Sequence, residues 1–245
     1  MKKIAFSLLI AISCFAELNN DDFSEFDKNY SKSDVEVFDP LSGYNRIMTD
    51  FNDYVYTNIL IPTAKGYAYI VPEEARIAID NFFNNLMFPV RVVNNLLQLK
   101  FENSFEETQR FVVNSLWGLG GFMDPATNEL NIKEHKEDFG QTLGYYGVGE
   151  GFPVVLPILG QSNLRDFTAF TADSYVSVLS STGKSDLAYK IPNNLLETTA
   201  IKTFEVINET SLNPNKYEDM KKNVPDLYPF LRDAYSQLRK KQISE

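Results

Sequence analysis

His135 and Cys14 are the chain's single histidine and single cysteine, and that scarcity bounds its chemistry. One histidine excludes most multi-histidine metal sites and leaves few general bases. It stands in Glu134-His135-Lys136-Glu137-Asp138, a spacing that reads as the start of a solvated, charged helix with His135 in a structural role. Gly183-Lys184-Ser185 looks like the end of a phosphate-binding loop, but that motif needs a glycine five residues earlier, where Val178 stands. The turn Gly118-Leu119-Gly120-Gly121 lacks the preceding strand and following helix of a dinucleotide site. There is no Gly-x-Ser-x-Gly elbow, which argues against a lipase of the common hydrolase fold. Asp21-Asp22 lies in a polar stretch where nothing would raise a carboxyl pKa. The residues predict no catalytic centre, metal or cofactor.

What remains is a segment that is unusual in backbone rather than in reactive groups. Nine of the twelve glycines fall within 118–160, a density that marks positive φ or close approach of another element. Among them stand Phe122, Tyr145, Tyr146, Phe152 and the run Pro153-Val-Val-Leu-Pro157-Ile-Leu. A water-exposed loop of this length is ordinarily polar. An apolar, aromatic-edged one suits a protein that binds or passes a lipid, with a plain packed loop as the other reading.

Composition by itself leaves both readings open, a packed aromatic core being the ordinary one. Apolar residues make up 44%, an ordinary share, but 19 Phe and 13 Tyr stand against one Trp. Phe suits hydrocarbon and Tyr its boundary with water, unless both fill an aromatic-rich core. A formal net charge of −10 excludes nucleic acid as a partner, since phosphate contacts need clustered Lys and Arg. It also argues against electrostatic docking on anionic lipid. Contact with a membrane must then rest on apolar burial or an anchor.

The elements that would position this segment are helices. Residues 1–16, MKKIAFSLLIAISCFA, have the size and charge of a secretory signal. Cleavage before Cys14, through an imperfect lipobox at Ala11-Ile12-Ser13-Cys14, would make Cys14 the acylated first residue; cleavage after Ala16 would leave no lipid. Residues 17–39 form an acidic tether. From 40 to 61, Tyr44, Ile47, Met48, Phe51, Val55, Ile59 and Leu60 recur at helical spacing, with Ser42 or Asp39 as cap, Arg46 and Asp50 within pairing reach, and Pro62 as terminator. Pro72 opens a second helix with Glu73 and Glu74 in its first turn, and Pro89 should kink or split it. Ser104 to Glu107 fits a capping box for a third helix that Gly118 stops. Further helices are expected from Ser162 or Asn163 to 179, from 191 to 207 and from 226 to 241. No alternating strand pattern is evident. The chain reads as all-α, with a helical domain at 40–180, a C-terminal helical extension at 181–245 and no apolar stretch long enough to span a bilayer.

The residues from 39 to 166 resemble the MlaA (VacJ) family of outer-membrane lipoproteins. The resemblance is carried by Asp39-Pro40-Leu41 with Asn45-Arg46, Val71-Pro72 with Ala75-Arg76, Asn81-Phe82 with Asn85-Leu86 and Pro89, and Arg110-Phe111 with Asn114-Ser115. Gly118-Leu119-Gly120-Gly121-Phe122 with Asp124, Phe139-Gly140-Gln-Thr142-Leu143-Gly144-Tyr-Tyr146-Gly147-Val148-Gly149, Leu156-Pro157, Gly160 and Leu164-Arg165-Asp166 complete it. It implies a ring-like, membrane-embedded helical domain in the outer membrane, facing the periplasm, with an amphipathic channel. Through that channel misplaced phospholipids would leave the outer leaflet for a soluble periplasmic carrier (MlaC-like), beside a trimeric porin. It further implies that Gly118, Gly120, Gly121, Phe122, Gly140, Gly144, Tyr145, Tyr146, Gly147, Gly149, Gly151, Phe152 and Pro157 form channel wall or hinge. Arg46, Asp124, Arg165 and Asp166 would hold helices together. A structural envelope lipoprotein that binds a porin without moving lipid is the alternative.

Overall fold

In a computed structural model the described residues are 37–181, 189–222 and 224–245. The signal segment with Cys14, most of the tether and Gly183-Lys184-Ser185 lie outside them. The fold is all-α apart from one hairpin.

Helix α1 (Ser42–Val55) passes through a π turn (Tyr56–Leu60) into α2 (Ile61–Ile70). Pro62 therefore does not end the first helix. Its ring and missing N–H disturb the preceding turn, and the wider π turn takes up the disturbance so that the axis continues. Neither Ser42 nor Asp39 caps α1 with its side chain; the Asp39 carboxylate accepts from Asn45 Nδ2 instead. Pro72 does precede α3 (Glu73–Leu86), whose first turn carries Glu73 and Glu74. The chain then breaks at Met87, and Pro89 sits in the first turn of α4 (Phe88–Leu97).

Helix α5 (Phe101–Leu116) begins three residues before the expected capping box, because Ser104 is needed elsewhere: it is buried on the face toward α4 and donates to the Val92 carbonyl. After Gly118 come the short α6 (Pro125–Asn128) and α7 (Phe139–Tyr145), both capped by aspartates, Asp124 and Asp138. Two antiparallel strands that the sequence did not announce, β1 (Pro153–Leu156) and β2 (Gly160–Asn163), pair Val154 with Ser162 and Val155 with Gln161. Each is four residues long, too short for an alternating pattern to register. Asn163 caps α8 (Leu164–Val176), and α9 (Leu195–Leu212), α10 (Lys216–Lys221) and α11 (Leu227–Ser244) complete the chain.

The contacts between helices close on themselves. From α1 and α2 they run to α9, α3, α4, α8, α7 and α11, and α11 returns to α1. The result is a ring to which helices from both ends of the chain contribute.

Its polarity is inverted. Among the described residues 29 polar or charged side chains are buried, against 17 hydrophobic ones. On α5, Ser104, Glu107, Arg110 and Asn114 face inward while Phe101, Phe105, Val112 and Leu116 face out, Leu116 with 83% of its surface exposed. On α1, Asn45, Thr49 and Asn52 are buried, and Tyr44, Ile47, Phe51 and Tyr54 are exposed. In water this arrangement would be strongly unfavourable. In hydrocarbon it is the expected one, since polar groups must be satisfied inside the protein. No described helix is long and apolar enough to cross a membrane.

Most of the inward groups satisfy one another, with Asn95 Oδ1, Gln98 Oε1 and Gln161 Oε1 among the buried atoms left without a hydrogen-bond partner. Asn45 accepts from the Val155 amide at 2.8 Å and donates to the Pro153 carbonyl at 3.0 Å. Seven residues on, Asn52 does the same for the Ile158 amide and the Leu156 carbonyl. Two turns of α1 thus hydrogen-bond to the hairpin as a third strand would, leaving fewer exposed edge groups.

Candidate functional site

Inside the ring lies a cavity of about 300 Å³. Its lining includes apolar side chains: Phe83 of α3, Met87 between α3 and α4, Val90 of α4, Leu156 and Leu159 of the hairpin region, and Phe167 and Phe170 of α8. Charged residues are interspersed with them, Asp80 three residues before Phe83 and Asp173 three after Phe170, together with Arg91, Lys136, Glu137, Asp138, Asp166, Lys202, Glu205, Glu209 and Arg239. A lining that mixes apolar and ionic groups fits a molecule with both characters, an acyl chain joined to a polar head.

Arg239 organises the ionic groups of the lining. It is 4% exposed, donates to both Asp138 oxygens at 2.7 and 2.8 Å, and reaches Asp166 at 3.0 Å. Asp166 also accepts from Tyr235 at 2.7 Å and from Arg165 at 2.8 Å. Burial alone would raise the Asp138 pKa, but the Arg239 charge and hydrogen bonds outweigh it and hold the carboxyl down to about 2. Asp173 has no such cation. It accepts from Asn94 and from the Phe139 amide, and burial, then the neighbouring Asp138 charge, push it up to about 7.

Of the residues singled out from sequence, Gly140 and Asp166 line the cavity. A Cβ on Gly140 would stand 2.7 Å from an Arg239 nitrogen, so glycine lets α7 approach the Arg239 guanidinium. Gly144 is closed in the same way by Ile243 and Arg165. Gly121, at φ +99°, lies against the Asn85 side chain, next to Gly118 and Gly120 in the turn after α5. Phe122 stacks on Phe82 with centroids 4.8 Å apart. Tyr145 and Tyr146 meet edge to face at the end of α7, where the Tyr146 hydroxyl donates to the Leu97 carbonyl. Gly147 and Gly149 face open space, Gly151 abuts Leu164, Phe152 bonds to α8 through its carbonyl, and Pro157 begins the hairpin turn. None of these lies in the cavity wall.

Every member of the polar set has a partner, although Arg165 Nη2 is buried without one of its own. Arg46 pairs with Asp226 on the loop before α11 at 2.9 Å, not with Asp50. Asp124 accepts from Arg110, Asn114 and Thr127, and these bonds hold its pKa low against burial. The segment 134–138 is not a solvated helix start but an extended, partly buried strip: Glu134 meets Arg91, His135 meets Glu106, and Glu137 meets Lys100. Among the described residues no group of His, Cys, Asp and Glu could hold a metal. Sequence reasoning missed Asp80, Lys202, Glu205 and Arg239; Lys202 shares its face of α9 with Thr198, Glu205 and Val206, a mixed pattern that carries no local signal.

The ring, its outward apolar faces and its mixed cavity mark a helical protein suited to contact with a membrane. Residues 37–242 match the family model described as MlaA lipoprotein, and the chain belongs to that family. The match continues through the C-terminal helices, well past the point where resemblance by motif ends. A protein of Haemophilus influenzae named intermembrane phospholipid transport system lipoprotein MlaA is 36% identical over 176 residues, covering 71% of this chain and 67% of that one. An uncharacterized Rickettsia conorii protein is 32% identical over 171 residues, 69% of this chain and 68% of that one, while the alignment to a Rickettsia prowazekii relative covers 56% of its length. A solved structure reported as the structural basis for maintenance of bacterial outer membrane lipid asymmetry superposes with a TM-score of 0.69 at 32% identity, covering 84% of this chain and 98% of that one.

Proposed function

We propose that this protein is the outer-membrane component of an intermembrane phospholipid transport system. It takes mislocalised phospholipid from the outer leaflet through its central cavity and passes it to a soluble periplasmic carrier of the MlaC kind, beside a trimeric porin. The observation that carries this reading is the inverted polarity of the ring around a cavity lined by both apolar and ionic side chains. An apolar exterior suits residence among lipid tails, and an amphipathic interior gives a headgroup a path that hydrocarbon does not. Cys14, acylated, would add an anchor to this apolar exterior. Turns at 118–124 and 146–151, rich in glycine and at the ring's edge, serve as hinge or rim. Arg46, Asp124, Arg165 and Asp166 fix the helices around the opening.

Deleting the gene and labelling phospholipid on the cell surface tests this. Surface phospholipid is expected to rise and to be restored by the wild-type gene. An unchanged surface would exclude transport and leave the structural, porin-binding role. Complementation with Cys14→Ala then separates the anchor from the ring.

A further inference from the structure

Every cation in the cavity wall already has a carboxylate. Arg91 meets Glu107 and Glu134, Lys136 lies 3.7 Å from Glu134, Lys202 lies 2.7 Å from Glu205, and Arg239 holds Asp138 and Asp166. Acids are in excess: among the described residues seven line the cavity, against four bases. Among the described residues Asp80 and Asp173 stand in the wall with no cation at ion-pair distance. Burial raises the Asp80 pKa, with the more distant Lys136 charge opposing it.

Gln161 supplies a second, separate observation. It lies in the cavity wall, 4% exposed. Its Nε2 donates to Thr49 Oγ1 at 3.4 Å, and Thr49 donates in turn to the Asn45 carbonyl. One N–H of the amide is therefore engaged, and the buried Oε1 is left without a partner. Buried acceptors are almost always paired, so an orphan one in a cavity wall marks a place for an incoming N–H.

We infer that the cavity selects phospholipids whose headgroup ends in a primary ammonium, the chemistry of phosphatidylethanolamine, over net-anionic headgroups such as phosphatidylglycerol. This rests on the proposed lipid-carrying role of the same cavity. An ammonium brings three N–H donors and a positive charge to a wall with a spare amide oxygen and spare carboxylates. Phosphatidylglycerol brings a net negative charge to a wall with no uncommitted cation to receive it, so it is opposed by like charge.

Full-length protein in detergent is incubated with vesicles of equal parts palmitoyl-oleoyl phosphatidylethanolamine and palmitoyl-oleoyl phosphatidylglycerol, then recovered, and its lipid is counted by mass spectrometry. The ethanolamine lipid should be enriched about tenfold, the scale of one charge-assisted hydrogen bond. Gln161→Leu and Asp80→Asn should each bring the ratio toward parity, and Asp80→Lys should favour the glycerol lipid. Asp80 is only partly buried, so its variants decide the matter if Gln161→Leu does not fold. Equal uptake by the wild type, or a preference untouched by the Asp80 variants, overturns the selectivity and leaves lipid carrying intact. Uptake of neither lipid overturns the lipid-carrying reading itself, and the selectivity with it.

Discussion

Arg239 and Asp138, 101 residues apart in the chain, meet through two hydrogen bonds, so that the last helix is locked to the start of α7 at the cavity wall. The same guanidinium holds Asp166 at the start of α8. One buried arginine thus joins three elements of the ring, and glycine at position 140 leaves the room for it.

Replacing that arginine leaves Asp138 without its cation and Asp166 with Arg165 alone. Arg239→Ala is expected to destabilise the protein by about 3–5 kcal/mol, the usual cost of removing one partner from a buried ion pair. Thermal unfolding in detergent, followed by circular dichroism, measures this. An unfolding temperature unchanged from wild type would show that the C-terminal helix is not held through Arg239.

Stability should also depend on pH in a way that Asp173 sets. Its folded pKa is about 7 and its ordinary value is 3.8. Between roughly pH 4 and pH 7 the folded state therefore holds a proton that the unfolded chain releases, and stability falls as pH rises through that window. Asp138 acts in the opposite sense: its depressed pKa stabilises the fold above the ordinary carboxylate range, and this is lost as pH falls toward 2. The unfolding temperature is expected to decline from about pH 5 to about pH 7.5, and Asp173→Asn to flatten that decline. A slope that persists in the variant would assign it to another group.

The outward faces predict where the protein partitions. With Cys14→Ala alone, the apolar exterior should keep it in the membrane fraction. Adding Phe105→Asp, Leu116→Asp and Trp117→Asp, all at exposed positions, places charge where hydrocarbon contact is expected and should release it to the soluble fraction. Because these side chains contribute little to internal packing, folding in detergent should change by less than about 0.5 kcal/mol per site. Retention of the quadruple variant in the membrane would place the lipid contact elsewhere.

Local chemistry explains what was legible in the sequence. Pro72, Pro89, Gly118 and Asn163 punctuate helices through their own φ, missing donor or side-chain oxygen, and the structure has helix boundaries at all four. The apolar stripe of Tyr44, Ile47 and Phe51 was equally legible as a helix face. Its direction was not, because a 3.6-residue period reads the same whether the stripe meets a core or a membrane. The buried companions Asn45, Thr49 and Asn52 carried that information as a second stripe, polar and equally regular. Arg239 and Lys202 were not legible at all. Basic residues near a helix C-terminus read as dipole partners, and only the fold brings Asp138 and Asp166 to one of them.

The central claim is that phospholipid occupies the cavity, and photo-crosslinking tests it most directly. A photoreactive amino acid placed at Phe170, in the cavity wall, is activated in living cells, and a matched variant carries it at Leu116 on the exterior. The account predicts a phospholipid adduct at both positions by mass spectrometry. An adduct at Leu116 with none at Phe170 would mean that lipid surrounds the ring without entering it, and would contradict the account.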